Sequence, residues 1–216
     1  MDKRFAIFDM DGTLVDSMVY WKRLGREFLA LKGFTEDVDS VLERVKPMTM
    51  SESSALFIRE FGIPGTPESV AAEMNGMMDR HYREDIPLKP GVASYLEALA
   101  ARGVTLCVAS ATAEPLIRAC LTRLGVARYF RFMLSCEAVG SGKDHPDVYV
   151  EAARRLGAAA GEIAVYEDAL YAAKTAKGAG FYTVGIWDDS GRRHWDRLAA
   201  LADETITDWN LAAQSL

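Results

Sequence analysis

The chain has 216 residues, half of them hydrophobic, so it can bury one large core or a main core with a smaller insert. Its formal charge of -6 argues against a nucleic-acid partner, which would demand clustered Lys and Arg to displace counterions from phosphates, and favours a small solute. The three cysteines, Cys107, Cys120 and Cys136, match neither a disulfide framework nor a zinc-ligand spacing and read as reduced thiols of a core.

Residues Met1 to Arg4 lead directly into a strand-like run, Phe5 to Phe8, and no run of about eighteen apolar residues follows anywhere, so a soluble, cytoplasmic protein is expected. That first strand stops on three acids, Asp9, Asp11 and Asp16. Residues 17–86 then show amphipathic helices and no convincing strand. Leu24, Phe28 and Leu31 mark one apolar stripe, and Val38, Val41, Leu42 and Val45 a second. Thr49 with Glu52 forms a capping box for a third helix, while Thr66 before Pro67 opens a fourth with Val70, Met74, Met77 and Met78 on one face. The stretch "IPLKPG", residues 86–91, carries two prolines and a glycine and reads as a semi-rigid hinge strand.

From there strands and helices alternate. Strands are expected at 104–109, 132–136, 163–166 and 182–187, with a weaker one at 205–207, and helices at 91–102, 114–124, 146–156 and 169–177. Each strand is a continuous apolar run rather than an alternating one, as in a sheet covered on both faces. The order predicts an α/β fold: a doubly wound parallel, Rossmann-like sheet from residues 1–16 and 87–216, with an α-helical cap domain, 17–86, inserted after strand one.

In such a sheet, ligands bind at the carboxyl ends of the strands, where the strand order reverses. Polar residues end three of the predicted strands: Asp9 and Asp11 the first, Ser110 the second, Glu167 and Asp168 the fourth. Lys143, in "GSGKDHPDVY", lies in a Gly-rich loop before a helix. Oxygen donors of this kind suit Mg²⁺, and a phosphate is the natural guest of the ion. Taken singly, these residues have plainer readings: Ser110 as a helix cap, Lys143 as a solvated charge, Glu167 and Asp168 as acids favoured at a helix start. His81, His145 and His194 share no spacing with a nucleophile and read as surface or cap residues, with His145 beside Lys143. The cluster "SGRRHWDR", 190–197, reads as the solvated start of a peripheral helix, and Asp16 as a brace between strand and cap.

Four motifs, in order, resemble the haloacid dehalogenase (HAD) superfamily: "DMDGT" at 9–13, the serine of "VASA" at 110, the lysine of "KDHPDVY" at 143, and "VYEDA" at 165–169. The likeness spans nearly the whole chain and falls in the subfamily with a small helical cap after strand one, which holds phosphoglycolate phosphatase-like and β-phosphoglucomutase-like proteins. It implies a phosphatase for a small phosphorylated metabolite. Asp9 would be the nucleophile that forms an aspartyl-phosphate, and Asp11 the general acid and base. Asp9, the backbone carbonyl of Asp11, and Asp168 would hold Mg²⁺, with Glu167 orienting a water on the ion. Ser110 and the N–H of Ala111 would bind phosphate oxygens, Lys143 would neutralise charge, and Gly12 would let the backbone approach the phosphate. The cap would close over the site to exclude water and select the leaving group, with Trp21, Lys22, Lys46 and Met50 as candidate pocket residues.

This sequence also departs from the pattern. Trp21 stands twelve residues after Asp9, where the mutase branch has a proton-transferring histidine, and Met50 falls where that branch has a phosphate-gripping arginine. Both count against a sugar-phosphate mutase, and Thr13 points the same way. Asp11 counts against a dehalogenase. Ala169 and Ala172 replace a serine and a glycine of the fourth motif, which leaves open a non-catalytic protein that binds a phosphate ligand through a weakened metal site. The expected assembly is a monomer or weak homodimer.

Overall fold

Six strands, β1 (Phe5–Phe8), β2 (Thr105–Ser110), β3 (Phe130–Ser135), β4 (Ile163–Glu167), β5 (Tyr182–Ile186) and β6 (Glu204–Ile206), form one parallel sheet in the order β3-β2-β1-β4-β5-β6. The computed structural model describes residues 3–45 and 50–216. Two units divide the chain, Met1–Ser17 with Ile86–Leu216, and Met18–Asp85.

In the first unit, β1 lies at the centre and the order reverses beside it: Phe8 pairs with Val108 of β2 on one side and with Tyr166 of β4 on the other. Apolar residues on both sides of β1, β2 and β4 are buried, which is why these strands are continuous rather than alternating in sequence. Ile7, Cys107 and Val165 share a buried cluster with Val148, Tyr149 and Phe181. Phe8 stacks on Tyr166 with ring centroids 4.1 Å apart, next to Tyr95 and Trp209. The three cysteines are buried, and burial pushes the Cys120 thiol up to about 11, so they behave as core residues. Strand β3 begins two residues earlier than the apolar run predicts. Its pairing passes from Leu106↔Phe130 to Cys107↔Phe132, so exposed Arg131 sits in a bulge and breaks the pattern without ending the strand.

Helices α5 (Val92–Ala101), α6 (Glu114–Arg123), α7 (Asp147–Leu156), α8 (Leu170–Gly178), α9 (Trp195–Leu201) and α10 (Trp209–Gln214) belong to this unit; α1 to α4, introduced below, belong to the other. A 3₁₀ turn, Asp189–His194, leads into α9, so "SGRRHWDR" is the exposed start of a helix. The return segment runs antiparallel to the chain that follows β1. Val15 bridges to Leu88, the Asp16 N–H donates to the Pro87 carbonyl at 3.0 Å, and the Lys89 N–H donates to the Leu14 carbonyl at 2.9 Å. Gly91 follows at φ +87°, and a Cβ there would collide with the backbone of Asn210, so only glycine lets α5 start against α10.

The second unit contains α1 (Met18–Leu31), α2 (Asp39–Val45), α3 (Met50–Phe61) and α4 (Pro67–Glu84). Its core joins Leu24, Phe28 and Leu29 to Val41, Phe57, Val70, Met74 and Met78. The stripe of α1 ends differently from expectation: Leu29 is buried, while Leu31, the last residue of the helix, is 70% exposed as the chain turns away at Gly33. Thr66 caps α4 as expected, in a reciprocal pair with Ser69. Thr49, of the expected capping box with Glu52, and Lys46 lie outside the described residues. His81 is not a surface residue. It is buried, with Nδ1 at 2.7 Å from Asp85 and Nε2 at 3.4 Å from Glu27. No helix among the described residues is long and apolar enough to cross a membrane.

Candidate active site

Where β1 ends, the Asp9 N–H still donates to the Tyr166 carbonyl of β4, at 3.0 Å, which fixes Asp9 at the edge between the two central strands. The chain then turns sharply. The N–H groups of Leu14 and Val15 both donate to the Met10 carbonyl, and Gly12 adopts φ +82°. A Cβ on Gly12 would overlap the Asp168 carboxylate, so the turn needs glycine for both its conformation and its space.

Asp9, Glu167 and Asp168 bring carboxylate oxygens within 4.8 Å of one another. Lys143, from the loop before α7, donates to both Asp9 and Glu167 and is only 5% exposed, so it is no solvated surface charge. Tyr149, one turn into α7, donates its hydroxyl to Glu167 at 2.6 Å, and Thr13 donates to Asp168 at 3.3 Å. Burial, joined by the charges of Glu167, Asp168 and Asp11, holds the Asp9 carboxyl well above the usual carboxylate range despite Lys143. Burial and the neighbouring Glu167 and Asp188 push Asp168 up to about 7. For Lys143, burial opposes the charge, yet Asp9 and Glu167 hold the ammonium well above the ordinary lysine value.

Three carboxylates against one ammonium leave a buried excess of negative charge. Such an excess raises carboxyl pKa values until a cation relieves it, and all the donors are hard oxygens. The residues therefore fit a hard divalent cation.

Asp11 lies outside this trio. Its carboxylate accepts from Ser17 at 2.7 Å and from Thr112 at 2.7 Å, with the Ser110 hydroxyl at 3.4 Å. Ser110, fully buried at the end of β2, also accepts from the Thr112 N–H at 3.0 Å, and the intervening Ala111 is exposed. Beyond β5, Lys89 donates to Asp188 at 2.7 Å and to the Trp187 carbonyl at 3.1 Å. The structure thus brings together Asp9, Lys143, Glu167 and Asp168, with Gly12 against Asp168, and sets Ser110 beside Asp11. Trp21 belongs to the helical unit, where its indole N–H donates to Tyr82 at 3.1 Å. His145 and His194 are exposed.

Sequence reading missed Ser17, Thr112 and Tyr149, and it gave Thr13 no contact with Asp168. Tyr149 resembles any apolar residue on the buried face of α7, and only its distance of six residues from Lys143 hints at more. Thr112 carries a slightly better signal, as a second hydroxyl two residues after Ser110.

The haloacid dehalogenase-like hydrolase family profile matches residues 4–180. The chain belongs to that family. Among curated relatives it is 29% identical over 206 residues to a phosphoglycolate phosphatase of Shigella dysenteriae, covering 86% of this chain and 81% of the relative. It is 27% identical over 177 residues to a phosphorylated carbohydrates phosphatase of Thermotoga maritima, covering 81% of each. Solved structures share the fold. CbbY of Rhodobacter sphaeroides in complex with phosphate superposes with a TM-score of 0.77 at 24% identity, covering 99% of this chain and all of that one. A β-phosphoglucomutase of Clostridium difficile gives 0.70 at 20% identity, covering 97% and 92%. This haloacid dehalogenase-like protein falls in the subfamily that holds phosphoglycolate phosphatase-like and β-phosphoglucomutase-like members, and it is an enzyme of the phosphoric monoester hydrolase class.

Proposed function

We propose that this protein hydrolyses a small phosphorylated metabolite through an aspartyl-phosphate on Asp9, with Mg²⁺ as cofactor, in the cytoplasm. The observation that carries the reading is the buried Lys143 ammonium shared by Asp9 and Glu167 beside Asp168. An oxygen of Asp9 attacks phosphorus from the side opposite the ester oxygen. The bond from phosphorus to that oxygen breaks, and Asp11 donates the proton that the departing oxygen takes up. Asp11, now a carboxylate, then removes a proton from a water that attacks the phosphoryl group, releasing phosphate and restoring Asp9. The Asp11 charge is close enough to Asp9 to help raise its carboxyl, as this division of labour between neighbouring acids requires.

Lys143 offsets the charge between nucleophile and phosphate, while Ser110 and the Ala111 N–H bind phosphate oxygens. Asp9, Glu167 and Asp168, with the Asp11 carbonyl, would hold Mg²⁺, which when bound neutralises phosphate charge. A mutase reading is less well supported, because Trp21 offers no basic nitrogen and its N–H is engaged by Tyr82. A non-catalytic reading is also weaker, since the three acids and Lys143 stay together although alanines stand at 169 and 172.

The test is phosphate release from a generic aryl phosphate, with and without Mg²⁺, by the wild type and Asp9→Asn. Release by the wild type with Mg²⁺, and its loss in the variant, is expected. Equal, negligible release in all four reactions would rule out the enzyme mechanism.

A further inference from the structure

We propose that Thr112 and Ser17 are positioning residues for Asp11, two hydroxyls that aim its carboxyl group at the departing oxygen. This rests on the reading of Asp11 as the general acid. Each oxygen of the carboxylate meets a different hydroxyl: Ser17 donates to Oδ1 and Thr112 to Oδ2, both at 2.7 Å. Both lengths are ordinary for a well-formed bond donated by a hydroxyl to an oxygen. One bond would leave the carboxylate free to rotate about its own axis; two bonds, at opposite ends, do not.

The three partners come from separate parts of the chain. Asp11 is on the turn after β1, Ser17 is the fully buried residue just before α1, and Thr112 lies in the loop between β2 and α6, 101 positions from Asp11. Thr112 is itself held, because its N–H donates to the Ser110 hydroxyl at 3.0 Å. Ser110 therefore builds the turn that presents Thr112, besides any contact of its own with phosphate. The chemistry favours donors here. When Asp11 gives its proton to the leaving oxygen, negative charge appears on the carboxylate, and two O–H groups already point at the atoms that receive it. Placement matters as much, since an acid misplaced by about 1 Å can cost on the order of a hundredfold in rate.

The readout is the dependence on leaving group. An activated aryl phosphate departs without much help from an acid, whereas an alkyl phosphate needs the proton. In Thr112→Val, kcat/KM for an alkyl phosphate such as glycerol phosphate should fall about tenfold further than kcat/KM for p-nitrophenyl phosphate. Thr112→Ser should restore the ratio to within about threefold of wild type, and Ser17→Ala should shift it in the same direction as the valine variant. Both rates are measured on one preparation, so their ratio is unaffected by the fraction that folds. Equal loss on the two substrates, or no loss on either, overturns the proposal. Asp11→Asn separates it from the reading beneath. A bias in Asp11→Asn without one in Thr112→Val removes only the role of the hydroxyls; no bias in Asp11→Asn removes Asp11 as the acid, and the proposal with it.

Discussion

Gly12 does two things that no other residue can do at once. Its φ of +82° belongs to the left-handed region, where a side chain costs about 1 kcal/mol or more, and its missing Cβ leaves the space that the Asp168 carboxylate occupies. Gly12→Ala should therefore act twice, by straining the turn and by pushing Asp168 out of the carboxylate trio. A loss of about 2 kcal/mol in stability is expected by chemical denaturation, together with at least a tenfold higher Mg²⁺ requirement for phosphate release. An alanine variant with wild-type stability and Mg²⁺ dependence would show that the turn shifts at no cost. The same turn explains why Asp9 and Asp11 have different surroundings although one residue separates them. Asp9 is gripped by a buried ammonium, while Asp11 faces the hydroxyls of Ser17 and Thr112.

At the scale of elements, α8 stands out by how it begins. Ala169 occupies the cap position, with φ -86° and ψ 118°, but has no oxygen to accept from the first N–H groups of the helix. Ala169→Ser would supply one, and a cap of this kind contributes about 1 kcal/mol. For a chain of this size that corresponds to a rise of roughly 2–4 °C in melting temperature. Because the cap directly follows Asp168, the Mg²⁺ concentration for half-maximal activity should fall as well; an unchanged melting temperature would mean that the N–H groups already have partners.

The central strands were legible from sequence for a physical reason: a strand covered on both faces must be an unbroken apolar run. Local signals also mark the helices: Pro115 in the first turn of α6, Gly157 closing α7 at φ +70°, and the Thr66 cap of α4. The strand order β3-β2-β1-β4-β5-β6 follows from the general habit of doubly wound sheets, but the bulge at Arg131 is set by pairing with β2 and leaves no apolar signature. Within the site, Asp9, Glu167 and Asp168 are legible as acids at strand ends, and Lys143 as a cation in a Gly-rich loop before a helix. Their supporting hydroxyls are not, because Thr112 reaches Asp11 across 101 positions and Tyr149 hides within an ordinary apolar helix face. Periodicity reports which face of an element is buried; it carries no record of which distant loops meet.

Across the whole molecule, the acids at the edge of the sheet set how stability depends on pH. In the folded protein burial, and then Glu167 and Asp188, push Asp168 up to about 7, whereas an unfolded aspartate has a pKa of about 3.9. Between these values the folded chain holds a proton that the unfolded chain has released. By linkage, this contribution is fully present below about pH 4 and is lost as pH rises through about 7. Asp9, also raised, works in the same direction. Asp188 and Asp203 have the opposite sign. Their carboxyls lie below the usual value through Lys89 and Ser190, and through Lys177 and Thr183, despite the burial that opposes this; their contribution is lost only as pH falls below about 4. The melting temperature in the presence of a chelator should accordingly fall between pH 5 and pH 8. Excess Mg²⁺ should flatten that fall, since a cation bound by the ionised trio favours the folded, deprotonated state by mass action. The lift given by Mg²⁺ should be larger at pH 8 than at pH 5, and it should vanish in Asp168→Asn. A melting temperature that is constant from pH 5 to pH 8 without metal, or a Mg²⁺ effect of equal size at both, would mean that the three carboxylates do not share one buried excess of charge.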